Sequence, residues 1–151
     1  WGVQFYFDQV PGVIETEVGY TGGTVPHPTY ELVCSHTTGH AEATRIVFDP
    51  TVVTYITLLR HFFRLHDPTQ LNRQGVDIGA SYRSAIFYTN DAQREEAEKM
   101  VVELSEQKIF QDPIVTQIVA AGEFYAAEDY HQKYTEKTGR GFCHVAYAPI
   151  A

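Results

Sequence analysis

Cysteine is scarce in this 151-residue chain, because Cys34 and Cys143 are its two cysteines and they form no C-x-x-C motif. Small secreted domains that depend on disulfides have a denser cysteine framework, so we set that class aside. Free thiols in a reducing, cytoplasmic compartment agree better with this usage. Long apolar runs are also lacking, since none approaches the roughly 20 residues that a membrane-spanning helix requires. We therefore expect no membrane partner.

Basic residues are scarce as well: 11 Lys and Arg stand against 19 Asp and Glu, which gives a net charge of -8. A protein that binds nucleic acid without sequence preference needs the reverse balance to neutralise phosphates, so we exclude nucleic acid as a partner. Hydrophobic residues make up 44% and charged residues 20%, close to the average for globular domains. The composition indicates a single domain over residues 1–151 with a hydrophobic core.

The spacing of apolar residues predicts the order helix, strand, strand, helix, strand, helix, strand. We predict helices over residues 1–9, 55–66 and 91–108, and strands over residues 13–20, 41–48, 82–89 and 114–120. Asn90 or Asp91 is expected to cap the last helix. Two long loops, 21–39 and 67–81, and an irregular tail from residue 123 complete the chain. Loops of this length in a compact domain usually carry function.

This order is typical of an α+β two-layer sandwich, in which helices pack on a mixed sheet. If a further strand precedes residue 1, the order becomes a ferredoxin-like β-α-β-β-α-β core, followed by a last helix and a last strand. Because the chain begins with Trp1 rather than Met, we expect residues upstream, where a targeting signal would also lie.

Two polar residues lie where predicted strands begin. Glu42 opens the apolar strand 41–48, and a carboxylate there would be desolvated, with a raised pKa that suits a general acid near neutral pH. An edge-strand glutamate that faces water is the alternative that this stretch leaves open. Tyr82 opens the strand 82–89, and its phenol could donate a hydrogen bond into a pocket. A tyrosine packed in the core is the alternative.

A series of motifs runs through nearly the whole chain. In order they are W-G-V, G-V-I-E-T-E-V-G-Y-T-G-G, P-T-Y-E, C-S-x-x-T-G-H-A-E-A, L-L-x-x-F-F, H-D-P-T, R-Q-G-x-D-x-G-x-x-Y-R-S-A-I and A-E-D-Y-H-Q. Together they closely resemble peptide methionine sulfoxide reductase of the A class, which is specific for the S epimer. The resemblance implies an oxidoreductase that restores methionine, free or in proteins, and so serves protein repair after oxidative stress.

The resemblance also implies a role for each matching residue. Glu42 would protonate the sulfoxide oxygen, and Tyr30 and Tyr82 would hydrogen-bond it. Asp77 would help to hold the substrate backbone, and Trp1 would form a wall of the pocket for the substrate's methyl group. The family's nucleophilic cysteine belongs to a G-C-F-W signature of which the chain holds only the Trp. We expect that residue two positions before Trp1, where a helix N-terminus lowers the pKa of a thiol.

The resemblance further implies a route for recycling the enzyme. Thiolate attack on the sulfoxide leaves a sulfenic acid, which Cys143 would convert into a disulfide, and thioredoxin would reduce that disulfide. No cofactor is implied beyond this external thiol reductant, for which dithiothreitol can substitute. Cys34 lies where the family often has a cysteine of no catalytic role, and we interpret His131 as structural. A monomer is expected.

Other classes of protein are weighed against this interpretation. His36, His40 and Glu42 are close in sequence but do not amount to the convergent ligand set of a zinc site, so no metal is expected. A catalytically inactive module that binds oxidised methionine remains one alternative. A non-redox ferredoxin-like interaction domain is the other. The joint presence of the acid, both tyrosines, the aspartate and the tail cysteine argues against both.

Overall fold

The computed structural model describes residues 2–35, 37–74, 77–128 and 131–132 of the chain. Trp1 and Cys143, for which the sequence predicts roles in the site, lie outside the described residues. Within the described ranges, no helix is both long enough and apolar enough to cross a membrane.

The described residues alternate helices and strands in a mixed α+β order, as the sequence predicts. The helices are α1 Gly2–Asp8, α2 Tyr30–Cys34, α3 Tyr55–Leu65 and α4 Asp91–Glu106, with a 3-10 turn at Ala80–Tyr82. The strands are β1 Val13–Thr21, β2 Ala41–Phe48, β3 Arg73–Gln74, β4 Asp77–Ile78, β5 Ala85–Tyr88, β6 Gln117–Ala120 and β7 Phe124–Ala126.

The two long helices begin at side-chain caps, which satisfy backbone N–H groups that lack a partner within a first turn. The Thr54 side chain accepts a hydrogen bond from the Thr57 N–H of α3 at 3.1 Å. The Asn90 side chain accepts one from the Gln93 N–H of α4 at 2.9 Å. The predictions of helices over 55–66 and 91–108 are therefore confirmed, with Asn90 as the cap.

β1 and β2 form a long antiparallel pair, from Val13 opposite Phe48 to Thr21 opposite Ala41. Both predicted strands are confirmed. β7 pairs with the other edge of β1, which gives the strand order β2-β1-β7. The sequence interpretation of the tail as irregular from residue 123 is wrong here, because a three-residue edge strand is too short to show an alternating pattern.

The predicted strand over 82–89 begins three residues later, at Ala85. Tyr82 instead ends the 3-10 turn, in which the Tyr82 N–H donates to the Gly79 carbonyl at 3.0 Å. The long loops also contain more structure than predicted, since α2 interrupts the first and the two-residue strands β3 and β4 pair in the second. Elements this short carry no periodicity from which a sequence could predict them.

In the described residues the strands form three separate sheets: β2-β1-β7, β3-β4 and the parallel pair β5-β6. The predicted ferredoxin-like core would need a further strand to join them, so that topology stays a prediction. Helix α3 contributes side chains to two hydrophobic clusters of the core. Leu58 and Leu65 pack with α1, and Leu59 and Phe63 pack with β5 and α4.

Candidate functional site

The two long loops bring four polar side chains of the predicted site into one electrostatically coupled group. Tyr30 is the first residue of α2, Glu42 is the second of β2, Asp77 begins β4, and Tyr82 ends the 3-10 turn. The charges of Glu42 and Asp77 act on both phenols and raise the pKa of each. Residues from 30 to 82, far apart in sequence, are thus close enough to affect one another's ionisation.

Glu42 is the acid of this group. Burial, with a further contribution from the charge of Asp77, raises the pKa of Glu42 from 4.5 to about 7. Of the two alternatives that the sequence leaves open, the half-buried position of Glu42 agrees with the desolvated carboxyl. A carboxyl with this pKa is partly protonated at neutral pH and can deliver a proton there.

The two phenols remain protonated hydrogen-bond donors across the physiological range. A hydrogen bond between the side chains of Tyr30 and Cys34, followed by burial and neighbouring negative charge, raises the pKa of Tyr30 to about 12. Burial is the largest cause of the raised pKa of Tyr82, and the charge of Glu42 is the next. Both hydroxyls are therefore suited to donate to an oxygen that gains negative charge.

Cys34 is a residue that sequence reasoning did not bring to the site. It is a free, half-buried cysteine whose side chain hydrogen-bonds with that of Tyr30. The signal was present in the sequence, because residues four apart lie on one face of a helix. It was missed because α2 was interpreted as part of a loop.

A cavity of about 630 Å³ lies beside this group, between β2 and β5. Its polar lining includes Glu42, Asp77 and Tyr82, and its apolar lining includes Phe62 and Phe124. This size lies within the range of small-molecule sites, which are mostly apolar with a few convergent polar groups. The cavity can therefore receive an apolar side chain that carries one polar oxygen.

His66 also lines this cavity and was not predicted as a site residue. Its Nδ1 donates to the Phe62 carbonyl, which leaves Nε2 to accept from the Ser84 hydroxyl at 2.7 Å. Burial lowers the pKa of His66, so the imidazole is neutral near pH 7. The H-D-P-T motif was the available signal.

His40 stabilises the first long loop through both of its ring nitrogens. Nδ1 accepts from the Gly23 N–H at 3.0 Å, and Nε2 donates to the Val25 carbonyl at 2.7 Å. Both ring nitrogens of His40 therefore bind backbone groups of the loop that precedes Glu42. Among the residues that the structure describes, no group of three or more His, Cys, Asp and Glu could hold a metal ion.

The chain belongs to the peptide methionine sulfoxide reductases, a family of oxidoreductases, because the family model described as "Peptide methionine sulfoxide reductase" matches residues 1–151. A similar relative within that family is named as the A type. The chain is 55% identical over 139 residues to "Peptide methionine sulfoxide reductase MsrA" of Methanosarcina acetivorans, which covers 92% of this chain and 74% of that relative.

Solved structures agree with this assignment. The structure is similar to methionine sulfoxide reductase A of Corynebacterium diphtheriae, with a TM-score of 0.81 and 38% identity over 100% of this chain and 76% of that one. It is also similar to reduced Mxr1 of Saccharomyces cerevisiae, with a TM-score of 0.84 and 34% identity over 97% of this chain and 83% of that one. These likenesses confirm the family that the motifs predict.

Proposed function

We propose that this site reduces the S epimer of methionine sulfoxide, free or within oxidised proteins, to methionine. The observation that carries the proposal is the half-buried Glu42 carboxyl, whose raised pKa of about 7 leaves it able to donate a proton at neutral pH. The same carboxyl lines a largely apolar cavity, which fits the thioether portion of the substrate.

The first step transfers oxygen from the substrate sulfur to the enzyme's thiol. A thiolate attacks the sulfoxide sulfur, and Glu42 protonates the sulfoxide oxygen. The oxygen then passes to the enzyme's sulfur: the S–O bond of the substrate and the transient bond between the two sulfurs break, which leaves a sulfenic acid on the enzyme and releases methionine. Tyr30 and Tyr82 donate hydrogen bonds to the oxygen as its negative charge grows, which lowers the barrier. The nucleophile is proposed two positions before Trp1, on the strength of the family resemblance.

Substrate binding is proposed to involve both polar and apolar groups. Asp77 is exposed at the cavity, where its carboxylate can accept a hydrogen bond from a backbone N–H of the substrate. Trp1 is proposed as a wall of the pocket for the substrate's methyl group.

The second stage regenerates the thiol. Cys143 is proposed to condense with the sulfenic acid, which forms an intramolecular disulfide and releases water. Thioredoxin, as an external dithiol, then reduces this disulfide by exchange and itself becomes oxidised. The protein is proposed to act as a monomer in the cytoplasm, in repair after oxidation.

An epimer-resolved assay tests the function. The full-length protein is incubated with each epimer of blocked methionine sulfoxide and dithiothreitol, and methionine formation is measured. We expect turnover of the S epimer and not of the R epimer. Failure to convert either epimer contradicts the proposal, and affinity without turnover would instead indicate an inactive binding module.

A second assay tests the recycling route. With thioredoxin as the reductant, Cys143→Ser should stop after about one methionine per enzyme, because the sulfenic acid then has no internal thiol partner. Sustained thioredoxin-driven turnover in this variant would overturn the role of Cys143. The unsubstituted protein, assayed in parallel, is the control for thioredoxin activity.

A further inference from the structure

Two residues of the tail, Glu128 and His131, contact Tyr30, the first residue of α2. A Glu128 carboxylate oxygen accepts a hydrogen bond from the Tyr30 N–H at 3.0 Å. The other oxygen of Glu128 lies 3.5 Å from Nε2 of His131, three residues further along the chain. The two side chains therefore form a connected group against the first residue of α2.

His131 also contacts Tyr30 directly. The two rings lie 4.5 Å apart between centroids, with an angle of 43° between their planes. His131 is buried, with 7% of its surface exposed, and burial lowers its pKa, so a neutral imidazole packs on the phenol ring near pH 7. The backbone of Tyr30 is thus held by Glu128 and its ring by His131.

Helix α2 needs this external support. It has five residues, and a helix that short is not stable on its own because few intrahelical hydrogen bonds offset the cost of ordering it. The Tyr30 N–H is one of the first-turn donors without an intrahelical partner, and Glu128 supplies the acceptor. The orientation of the Tyr30 phenol therefore depends on groups outside α2.

The tail segment is itself anchored on the core sheet. The Gln132 side chain accepts from the Val18 N–H at 3.0 Å and donates to the Val18 carbonyl at 2.8 Å. It also donates to the Ala127 carbonyl at 3.0 Å. Val18 is buried in β1, so Glu128 and His131 are held on either side by contacts to a core strand.

We propose that Glu128 and His131 are positioning residues that place the Tyr30 hydroxyl for its hydrogen bond to the substrate oxygen. They act through Tyr30, whose backbone N–H donates to Glu128 and whose ring packs on His131. The inference rests on the proposed function, because it assigns these residues to a donor of that reaction. It goes beyond a structural role for His131, since it predicts an effect that depends on the Tyr30 hydroxyl.

A mutant cycle separates this role from general damage to the fold. The rate of methionine formation is measured in a single turnover of the reduced full-length protein with saturating S epimer. Glu128→Ala should slow it about tenfold, as expected for one misplaced hydrogen bond. In the Tyr30→Phe background, where the hydroxyl is already absent, Glu128→Ala should change the rate less than about twofold.

The Tyr82→Phe background is the matched control, because Tyr82 ends the turn in the other long loop, whereas Glu128 binds the backbone of Tyr30. There Glu128→Ala should again cost about tenfold. An equal loss in all three backgrounds overturns the inference, since the effect would then not pass through Tyr30. The inference is supported if the rate loss caused by Glu128→Ala disappears in the Tyr30→Phe background alone.

Conservative variants keep the test valid if Glu128→Ala does not fold, as judged by circular dichroism. Glu128→Gln retains an oxygen that can accept from the Tyr30 N–H and should restore most of the rate, whereas His131→Ala should slow it more than His131→Phe, which retains a ring. If both conservative variants are as slow as the truncations, the inference is overturned. An unsubstituted protein that converts neither epimer contradicts the proposed function instead.

Discussion

The Arg83 guanidinium donates a hydrogen bond of 3.0 Å to the Gly39 carbonyl, and this contact joins the two long loops of the site. The same guanidinium donates to the Ala80 carbonyl at 2.8 Å, next to the turn that ends at Tyr82. Gly39 precedes β2 and Glu42 by only a few residues. Arg83 therefore sets the separation between the proposed acid and one of the proposed oxygen donors.

Replacing Arg83 should loosen both loops together. We expect Arg83→Ala to lower the free energy of unfolding by about 2 kcal/mol, because a half-buried guanidinium loses hydrogen bonds to carbonyl groups. The single-turnover rate should fall about tenfold, since the donor and the acid lose their relative placement. Urea unfolding and the single-turnover assay measure the two effects. Arg60→Ala, at an exposed position of α3, is the matched control and should change both quantities little.

The raised pKa of Glu42 predicts a pH dependence of the first step. The proton donor must be protonated, so the rate should fall as pH rises through a pKa of about 7. This alkaline limb should be absent in Glu42→Gln, which is slow at all pH values because the amide cannot donate a proton to the leaving oxygen. Single-turnover rates from pH 5 to 9 test this. An unchanged alkaline limb in Glu42→Gln would assign that limb to another group.

The same pKa also predicts that the unsubstituted protein loses stability as pH rises. Because the folded-state pKa is raised above 4.5, the protonated carboxyl favours the folded state below that pH, and this contribution is lost as pH rises through about 7. Glutamine at position 42 never ionises. The free energy of unfolding of Glu42→Gln, relative to that of the unsubstituted protein, should therefore rise by about 2 kcal/mol between pH 5 and pH 8. Urea unfolding at both pH values measures the change, and a constant difference would contradict the prediction.

The pairing of β7 with β1 depends on the absence of a side chain at Gly19. A Cβ at this position would collide with the Tyr125 carbonyl and the Phe124 ring. We expect Gly19→Ala to lower the free energy of unfolding by about 2 kcal/mol, as other overpacking substitutions do. Gly122→Ala is the matched control, because no atom lies within 4 Å of the position of its Cβ. Equal stability of the two variants in urea would show that β7 can move aside.

Long, regular elements were predictable from the sequence because their patterns extend over many residues. β2 runs from Ala41 to Phe48, within the predicted bounds, and α3 and α4 match their predicted ranges within two residues. The short elements were not predictable. α2 and β7 contain too few residues to show a period, and the turn that ends at Tyr82 is closed by backbone hydrogen bonds that any residue can make.

The sequence by itself determined the family and the identity of the candidate site residues, since motifs are recorded directly in the order of side chains. It did not decide whether Glu42 faces water or lies buried. The pKa of Glu42 depends on its burial and on the charge of Asp77, which lies in a loop some distance along the chain. Burial and electrostatic coupling are properties of what packs around a group, so only the tertiary structure decided the pKa of the acid and the support that the tail gives to Tyr30.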